Sequence, residues 1–439
     1  MAANFTSLEA QWIIQFKAPY VLEKHTLVIS NNKIEDILPS SEAKQKYPSS
    51  NIIKLNNHAL IPGLINTHNH AAMTLFRGMA DDLPLMTWLN DHIWPAEGKW
   101  VQEEFVKDGT ELAIAEMLLS GTTTYSDMYF FPEVSAQVID KAGIKAQLCT
   151  PIMEFPTAWG SGPDEYIQKT KVLLEQYKNH PRISIAAGPH APYTVSDETF
   201  NKCIQLKQDH GCQLQVHLHE TQFEVDESLK QHNKRPIQRL HELGVLDQST
   251  QCVHMTALTK EDIETISTSG AHLLHCPESN LKLASGFAPV HQAQEHGINI
   301  ALGTDGAASN NDQDMLGEAR SAALLAKAVS QNATALSALE ALKAATLNGA
   351  KALGIDNKTG SLETGKLADI VAIDLSPLHC QPVYDPISQI IYAARADQVS
   401  NVWSEGHQLV KDKKLTSQDT ENIINKARNW AEKIKETTA

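Results

Sequence analysis

The pattern of apolar and polar positions changes near residue 59. Before it, Leu27-Val-Ile-Ser30, Ile34-Glu-Asp-Ile-Leu38 and Ile52-Ile-Lys-Leu55 are short β-branched runs, and Asn31-Asn32 between the first two signals a hairpin. After it, short apolar runs alternate with stretches of helical spacing. The runs that predict strands are Ala59–Ile65, Thr122–Ser126, Lys145–Cys149, Ile183–Ala187, Gln213–Leu218, Gln251–His254, Ala271–Leu274 and Ile298–Leu302. Phe105–Leu119, Thr170–Tyr177, Thr199–Gln208 and Ile237–Leu243 carry the 3.6-residue period of helices between them. Two more helical stretches follow, Met315–Val329 and Ser337–Leu353. Strand character then returns at Ala368–Ile373, Val399–Trp403 and Gln408–Val410. A stripe of Ile423, Ala427, Trp430, Ala431 and Ile434 predicts a final helix.

Strands alternating with helices imply parallel pairing through right-handed crossovers. Eight such repeats have the size of a closed (β/α)8 TIM-like barrel. The competing open, doubly wound sheet requires a Gly-rich phosphate loop after the first strand, and none is present. The β segments at the two ends are expected to pair into one small composite β-sandwich. The predicted organisation is residues 1–59 and 368–416 for the sandwich, 60–367 for the barrel and 417–439 for the C-terminal helix.

Composition narrows the partners. The 439 residues are 42% hydrophobic and 20% charged, with a formal net charge of −15 and no run of Lys or Arg. Such a field disfavours nucleic acid and anionic membrane surfaces and leaves a small molecule as the expected partner. No stretch reaches the ~18 apolar residues of a membrane span. The six cysteines (149, 203, 212, 252, 276 and 380) include no C-x-x-C pair, which reads as reduced core thiols. The N-terminus lacks the basic region of a signal peptide, so a cytoplasmic location is expected and the acceptor triplet Asn4-Phe5-Thr6 carries no meaning. A homo-oligomer stays open.

The chemistry sits at the predicted strand ends. His68-Asn69-His70 follows the first strand, and in extended chain positions i and i+2 share a face, so both imidazoles can reach one ion. Strand four ends at His190, strand five at His217-Leu-His219-Glu220, strand six at His254 and strand eight at Gly303-Thr-Asp305-Gly306. Any one of these histidines alone reads equally well as a hydrogen-bonded core residue. Four strands ending in His and a fifth in Asp, all at the C-terminal rim where barrels build their sites, read as a metal site.

The run Pro62–His70, His217–Glu220, His275-Cys-Pro-Glu-Ser-Asn280 and Gly303–Asp305 resembles the amidohydrolase superfamily. Within it, the similarity is to the aminohydrolase branch of 5-methylthioadenosine/S-adenosylhomocysteine deaminases and triazine hydrolases. It spans residues 20 to 415, including Gly365–Asp374. The resemblance implies His68, His70, His217 and Asp305 as ligands of one divalent metal, Zn²⁺ before Fe²⁺. It makes His254 the group that orients the attacking water and Glu220 the proton shuttle. Asp305 would accept the water proton while Glu220 protonates the ring nitrogen beside the attacked carbon, and ammonia leaves. Three imidazoles and a carboxylate suit Zn²⁺.

Glu220 lies three residues after His217, so a regular strand would point them to opposite faces; the role requires a bend near Leu218. His219 reads as a structural, site-lining residue rather than a ligand. Strand four lacks the carboxylated Lys of binuclear relatives, which implies one metal, and the P-C-x-x-C signature of cytidine deaminases is absent.

The segment Trp88–Glu97 reads as a long loop, the plainer alternative being a surface helix with a solvated Glu97 and packed Trp residues. By resemblance Glu97 binds ribose hydroxyls and His190 contacts the purine. Trp88, with Trp94 and Leu85, would wall a thioether pocket. From Val101 to Pro181 there is no Arg to hold a homocysteine carboxylate, which favours 5-methylthioadenosine over S-adenosylhomocysteine or adenosine. The alternatives are a guanine or other purine deaminase or an s-triazine (chloro)hydrolase of the same branch. Amide or cyclic-imide hydrolysis is disfavoured by the missing Lys, and a non-catalytic metal scaffold by Glu220 and His254.

Overall fold

The computed structural model describes residues 5–435. The first four residues of the predicted sandwich segment, Asn4 of the acceptor triplet among them, and the last four of the terminal-helix segment lie outside the described residues. Eight parallel strands run in order: β1 (Leu64–Asn69), β2 (Thr122–Asp127), β3 (Lys145–Ile152), β4 (Ile183–Pro189), β5 (Leu214–Leu218), β6 (Thr250–His254), β7 (His272–His275) and β8 (Ile300–Leu302). The ladder does not continue from β8 to β1 among the described residues. That seam is closed by other bonds: Asp305 N–H donates to the His68 carbonyl (3.0 Å), Thr67 Oγ1 to the Leu302 carbonyl (2.8 Å), and Asn66 Nδ2 to Thr304 Oγ1 (2.7 Å). The barrel is therefore nearly closed, and its closing bonds lie beside His68 and Asp305.

The run Ala59–Ile65 is not one barrel strand. Ala59–Pro62 ends a long strand (Asn51–Pro62) of the terminal sheet, and the barrel begins at Leu64. Gly63 makes the break. A Cβ there would meet Thr123 Oγ1 at 2.1 Å, so only glycine lets the chain pass from one sheet to the other.

The chain ends pair into one nine-stranded mixed sheet, in which Phe5–Ile14 lies between Asn51–Pro62 and His25–Ser30. The apolar pattern does not reveal Phe5–Ile14, because its alternation (Leu8, Ala10, Trp12) gives way at a register shift to the continuous run Trp12-Ile-Ile14. Lys145 Nζ joins sheet and barrel, 2.6 Å from Asp369 Oδ1 and 2.9 Å from Ser404 Oγ, all buried.

The helix Glu103–Leu119 packs on the short helical segment Ala71–Phe76 that follows His70. The final helix, Thr420–Lys435, buries Ile423, Trp430 and Ile434 but leaves Ala431 exposed, a narrower stripe than expected. Trp430 donates to Asp108 Oδ2 (3.0 Å) and meets the Phe105 ring edge-on at 5.2 Å, bracing the helix that packs on Ala71–Phe76. Ser337–Leu353 forms two short helices, Ala338–Ala344 and Leu347–Ala352, broken where the Ala345 carbonyl accepts from Ile65 N–H at 2.8 Å. Trp88–Glu97 is helical rather than a loop: Leu85–Thr87, Trp88–Ile93 (one π-helical turn) and Trp94–Trp100 follow one another. Its apolar residues bury against the barrel mouth and pull the segment into a lid. No helix among the described residues is long and apolar enough to cross a membrane.

Candidate active site and metal centre

His68 is the last inward-facing residue of β1, and His70 turns in just beyond the strand, at the start of Ala71–Phe76. His217 points inward from β5, and His254 ends β6 at φ 73°. Asp305 follows β8 at φ 62°. Left-handed backbone at two such non-glycine residues is costly and persists where surrounding bonds impose it. At Asp305 these are its N–H to the His68 carbonyl and the Ser279 hydroxyl on Oδ2 (2.7 Å).

Each imidazole has its Nδ1 tied to an oxygen. His68 Nδ1 donates to Gln215 Oε1 (2.8 Å), His70 to the Met128 carbonyl (2.6 Å), His217 to the His190 carbonyl (2.7 Å) and His254 to Asn280 Oδ1 (2.9 Å). In the neutral form of each ring the proton therefore sits on Nδ1 and Nε2 is a lone pair; beside Asp305 the His70 ring is pushed up to about 9, so its Nε2 carries a proton unless a cation replaces it. These lone pairs converge. His68 and His217 Nε2 are 3.2 Å apart; Asp305 Oδ1 lies 3.5 Å from His68 Nε2 and 3.3 Å from His70 Nε2. Electron pairs aimed at one another across a buried point repel unless a cation lies between them. The donor set of imidazole and carboxylate fits a borderline divalent ion such as Zn²⁺.

Gln215, which belongs to no motif of the sequence, holds His68 in place. Its amide donates to Gln251 Oε1 (2.7 Å) and the Thr67 carbonyl (3.1 Å), which fixes its oxygen toward His68. Gln215 and His217 alternate onto one face of β5, so the sequence itself places the amide beside the imidazole.

Glu220 reaches the same space. β5 ends at Leu218, His219 takes φ 52°, and the chain turns so that the Glu220 carboxyl faces His254, with Oε2 3.8 Å from Nε2. His219 is turned away from the centre: its Nδ1 donates to the Ala257 carbonyl (3.0 Å) and its Nε2 accepts Ile237 N–H (3.1 Å). Burial, and then the negative charge of Asp305, push the Glu220 carboxyl up to about 8. His190 bonds Thr194 Oγ1 at 3.0 Å and is held neutral by burial.

Above these groups opens a cavity of about 380 Å³. Trp88, Leu89, Ile93 and Trp94 of the lid line it, as do Met153 and Phe155 beyond β3, with Glu97 between the apolar wall and the histidines. Glu97 accepts a 2.8 Å hydrogen bond from Tyr129 Oη, and burial lifts its carboxyl to about 7. Tyr129, adjacent to Met128 whose carbonyl holds His70, carries no sequence signal of its own.

Residues 59–409 match the amidohydrolase family. The chain is 50% identical to a 5-methylthioadenosine/S-adenosylhomocysteine deaminase of Teredinibacter turnerae, over 98% of this chain and 97% of that one. It is 40% identical to a 5'-deoxyadenosine deaminase of Methanosphaera stadtmanae, over 94% and 96%. Among solved structures, an adenosine deaminase from Xanthomonas campestris with bound zinc superposes with a TM-score of 0.96 at 45% identity, covering 98% of each chain. With a matching barrel, a convergent histidine–aspartate cluster suited to a divalent ion, and these relatives along its whole length, the chain belongs to the amidohydrolase family.

Proposed function

We propose that the protein hydrolytically deaminates 5-methylthioadenosine and related adenosines with uncharged 5' substituents, releasing ammonia, and that it holds one Zn²⁺ on His68, His70, His217 and Asp305. The observation that carries the substrate is the lining of the cavity. It combines Glu97, Glu220 and Asp305 with Trp88, Leu89, Ile93, Trp94, Met153 and Phe155, and no Lys or Arg is among the described residues that form it. A thioether methyl suits such a wall. The carboxylate of a homocysteine tail finds no cation there. The relatives named above are deaminases of adenosine-type compounds, which supports the reaction class.

A divalent ion at the centre supplies Lewis acidity that brings the pKa of water from ~15.7 toward ~7. The protein's own groups do the rest. His254 Nε2 orients the attacking water, and Asp305 Oδ2, 4.0 Å from that nitrogen, takes its proton. Glu220 carries its proton near pH 7 and delivers it to the ring nitrogen beside the attacked carbon, so that no anion builds on the ring. Asp305 passes the water proton on to the exocyclic nitrogen, the C–N bond breaks with release of ammonia, and the new hydroxyl returns a proton to Glu220. Glu97 accepts the two ribose hydroxyls as a carboxylate, with Tyr129 holding one of its oxygens. His190, neutral, lies against the purine.

The test is a comparison of kcat/KM, followed by loss of the adenine chromophore, with metal content measured on the same sample. The methylthio compound is expected to exceed the homocysteine compound by at least tenfold, about the value of one charge-assisted contact. Equal values, or faster turnover of the homocysteine compound, overturn the preference, and turnover of guanine instead overturns the class.

Glu97 gives a pH dependence of known sign. Its carboxyl titrates at about 7, above the ordinary carboxylate range, so acceptor capacity for the ribose is present above that pH and lost as the pH falls through it. The kcat/KM of nucleosides is expected to fall on the acid side of pH 7 in the parent. E97Q should be about 10–100-fold weaker at pH 8, chiefly in KM, and should lack this limb. A retained limb in E97Q contradicts the assignment.

A further inference from the structure

Glu224 is a buried carboxylate that the reaction above does not use, and its contacts are unusual. It is the third residue of the helix Gln222–His232, whose N-cap Thr221 accepts from Glu224 N–H at 3.3 Å. In a capping box the carboxylate at this position returns to the N-cap's own N–H. Here it reaches past Thr221: Oε1 accepts the N–H of His219 (3.0 Å) and Oε2 that of Glu220 (2.8 Å). These two amides bracket the left-handed residue whose turn swings Glu220 out of strand register. The turn is held from the other side by Thr256, whose Oγ1 donates to the Glu220 carbonyl (2.7 Å) and whose N–H donates to the His219 carbonyl (2.9 Å).

We infer that Glu224 is a positioning residue for catalysis: its two oxygens clasp the His219 and Glu220 amides and fix the turn that aims the Glu220 carboxyl at the substrate. The inference rests on the reading of Glu220 as the proton carrier. An ordinary helix cap would be served by Thr221 and needs no buried charge. Two N–H groups side by side need two acceptor oxygens. A carboxylate provides them, whereas an amide turns one acceptor into a donor facing a donor. Burial pushes the Glu224 carboxyl up and the two amide bonds pull it down, so the clasp itself favours the charged form.

The test is a double-mutant cycle in the metal-loaded enzyme with 5-methylthioadenosine. E224Q is expected to lower kcat by about 10–100-fold, as misplacement of a reacting group does, with KM within about twofold and metal content unchanged. In an E220Q background the same change is expected to cost nothing further, because the clasp then has no proton carrier to aim. Equal losses from E224Q in both backgrounds, or no loss in the parent, overturn the inference. Should E224Q fail to fold, E224A removes both acceptors without opposing a donor to the amides and is read by the same two criteria. E220Q alone retaining parental turnover would instead sink the reading of Glu220, so the two failures are separable.

Discussion

Glu220→Gln is expected to lower kcat for 5-methylthioadenosine by about 10³-fold, within the 10²–10⁴ range of general acid–base groups, while metal content and KM stay near the parental values. The substitution is nearly isosteric. It keeps a donor beside the ring nitrogen but removes the transferable proton. The carboxyl is suited to the task by its surroundings, because burial and then Asp305 push it up to about 8, so that it is mostly the neutral acid at pH 7. Its neighbours tie it loosely. The nearest are Ser285 Oγ at 3.4 Å from Oε1 and His254 Nε2 at 3.8 Å from Oε2, which leaves the proton free to move toward a bound base. The measurement is single-turnover loss of the adenine absorbance with zinc analysis on the same preparation. Turnover within tenfold of the parent, or loss of the metal, contradicts the role.

The barrel was legible because its strands are short, largely buried runs rich in apolar or β-branched residues, set apart by stretches of helical spacing. The gathering of chemical groups at one rim was legible for a related reason, since strand ends can be located from where apolar runs stop. Three things were hidden. The aim of Glu220 depends on the left-handed His219, and no periodicity foretells that a non-glycine residue will take φ 52°. Trp88–Glu97 of the lid reads as a loop because its aromatic residues serve a cavity wall rather than a regular amphipathic stripe, and a π-helical turn has neither the 3.6 nor the 2.0 period. The break at Gly63 depends on how close Thr123 comes from a strand some sixty residues away, a tertiary fact. Gln215 is different: it stands two residues before His217 on the same face, so its place at the rim follows from the strand's alternation, while its bond to His68 is a tertiary contact.

Removing the divalent ion is expected to abolish deamination and to lower the melting temperature by several degrees, and Asp305→Ala is expected to reproduce both effects in the presence of added metal. The reason lies in the electrostatics of the centre. Four imidazoles are held as Nδ1–H tautomers by Gln215, Met128, His190 and Asn280, so that their Nε2 lone pairs face the centre together with the Asp305 carboxylate. A cation among them converts mutual repulsion into attraction. At about 1,000 times its dissociation constant it stabilises the fold by about 4 kcal/mol. In chains of 150–250 residues each kcal/mol moves the midpoint by about 2–4 °C, and by less in a longer chain. Without Asp305 the cluster loses the carboxylate that faces His68 and His70 Nε2, so zinc titrated into Asp305→Ala should give little thermal shift where the chelated parent recovers its own. Activity of Asp305→Ala should be down by more than about 10⁴-fold, because the loss of the proton acceptor adds to the loss of the ion. Calorimetric scans of chelated and zinc-restored samples of both proteins read the first effect, and ammonia release reads the second. A parent enzyme whose melting and turnover are both indifferent to exhaustive chelation would mean that the converging lone pairs are held apart by the fold alone.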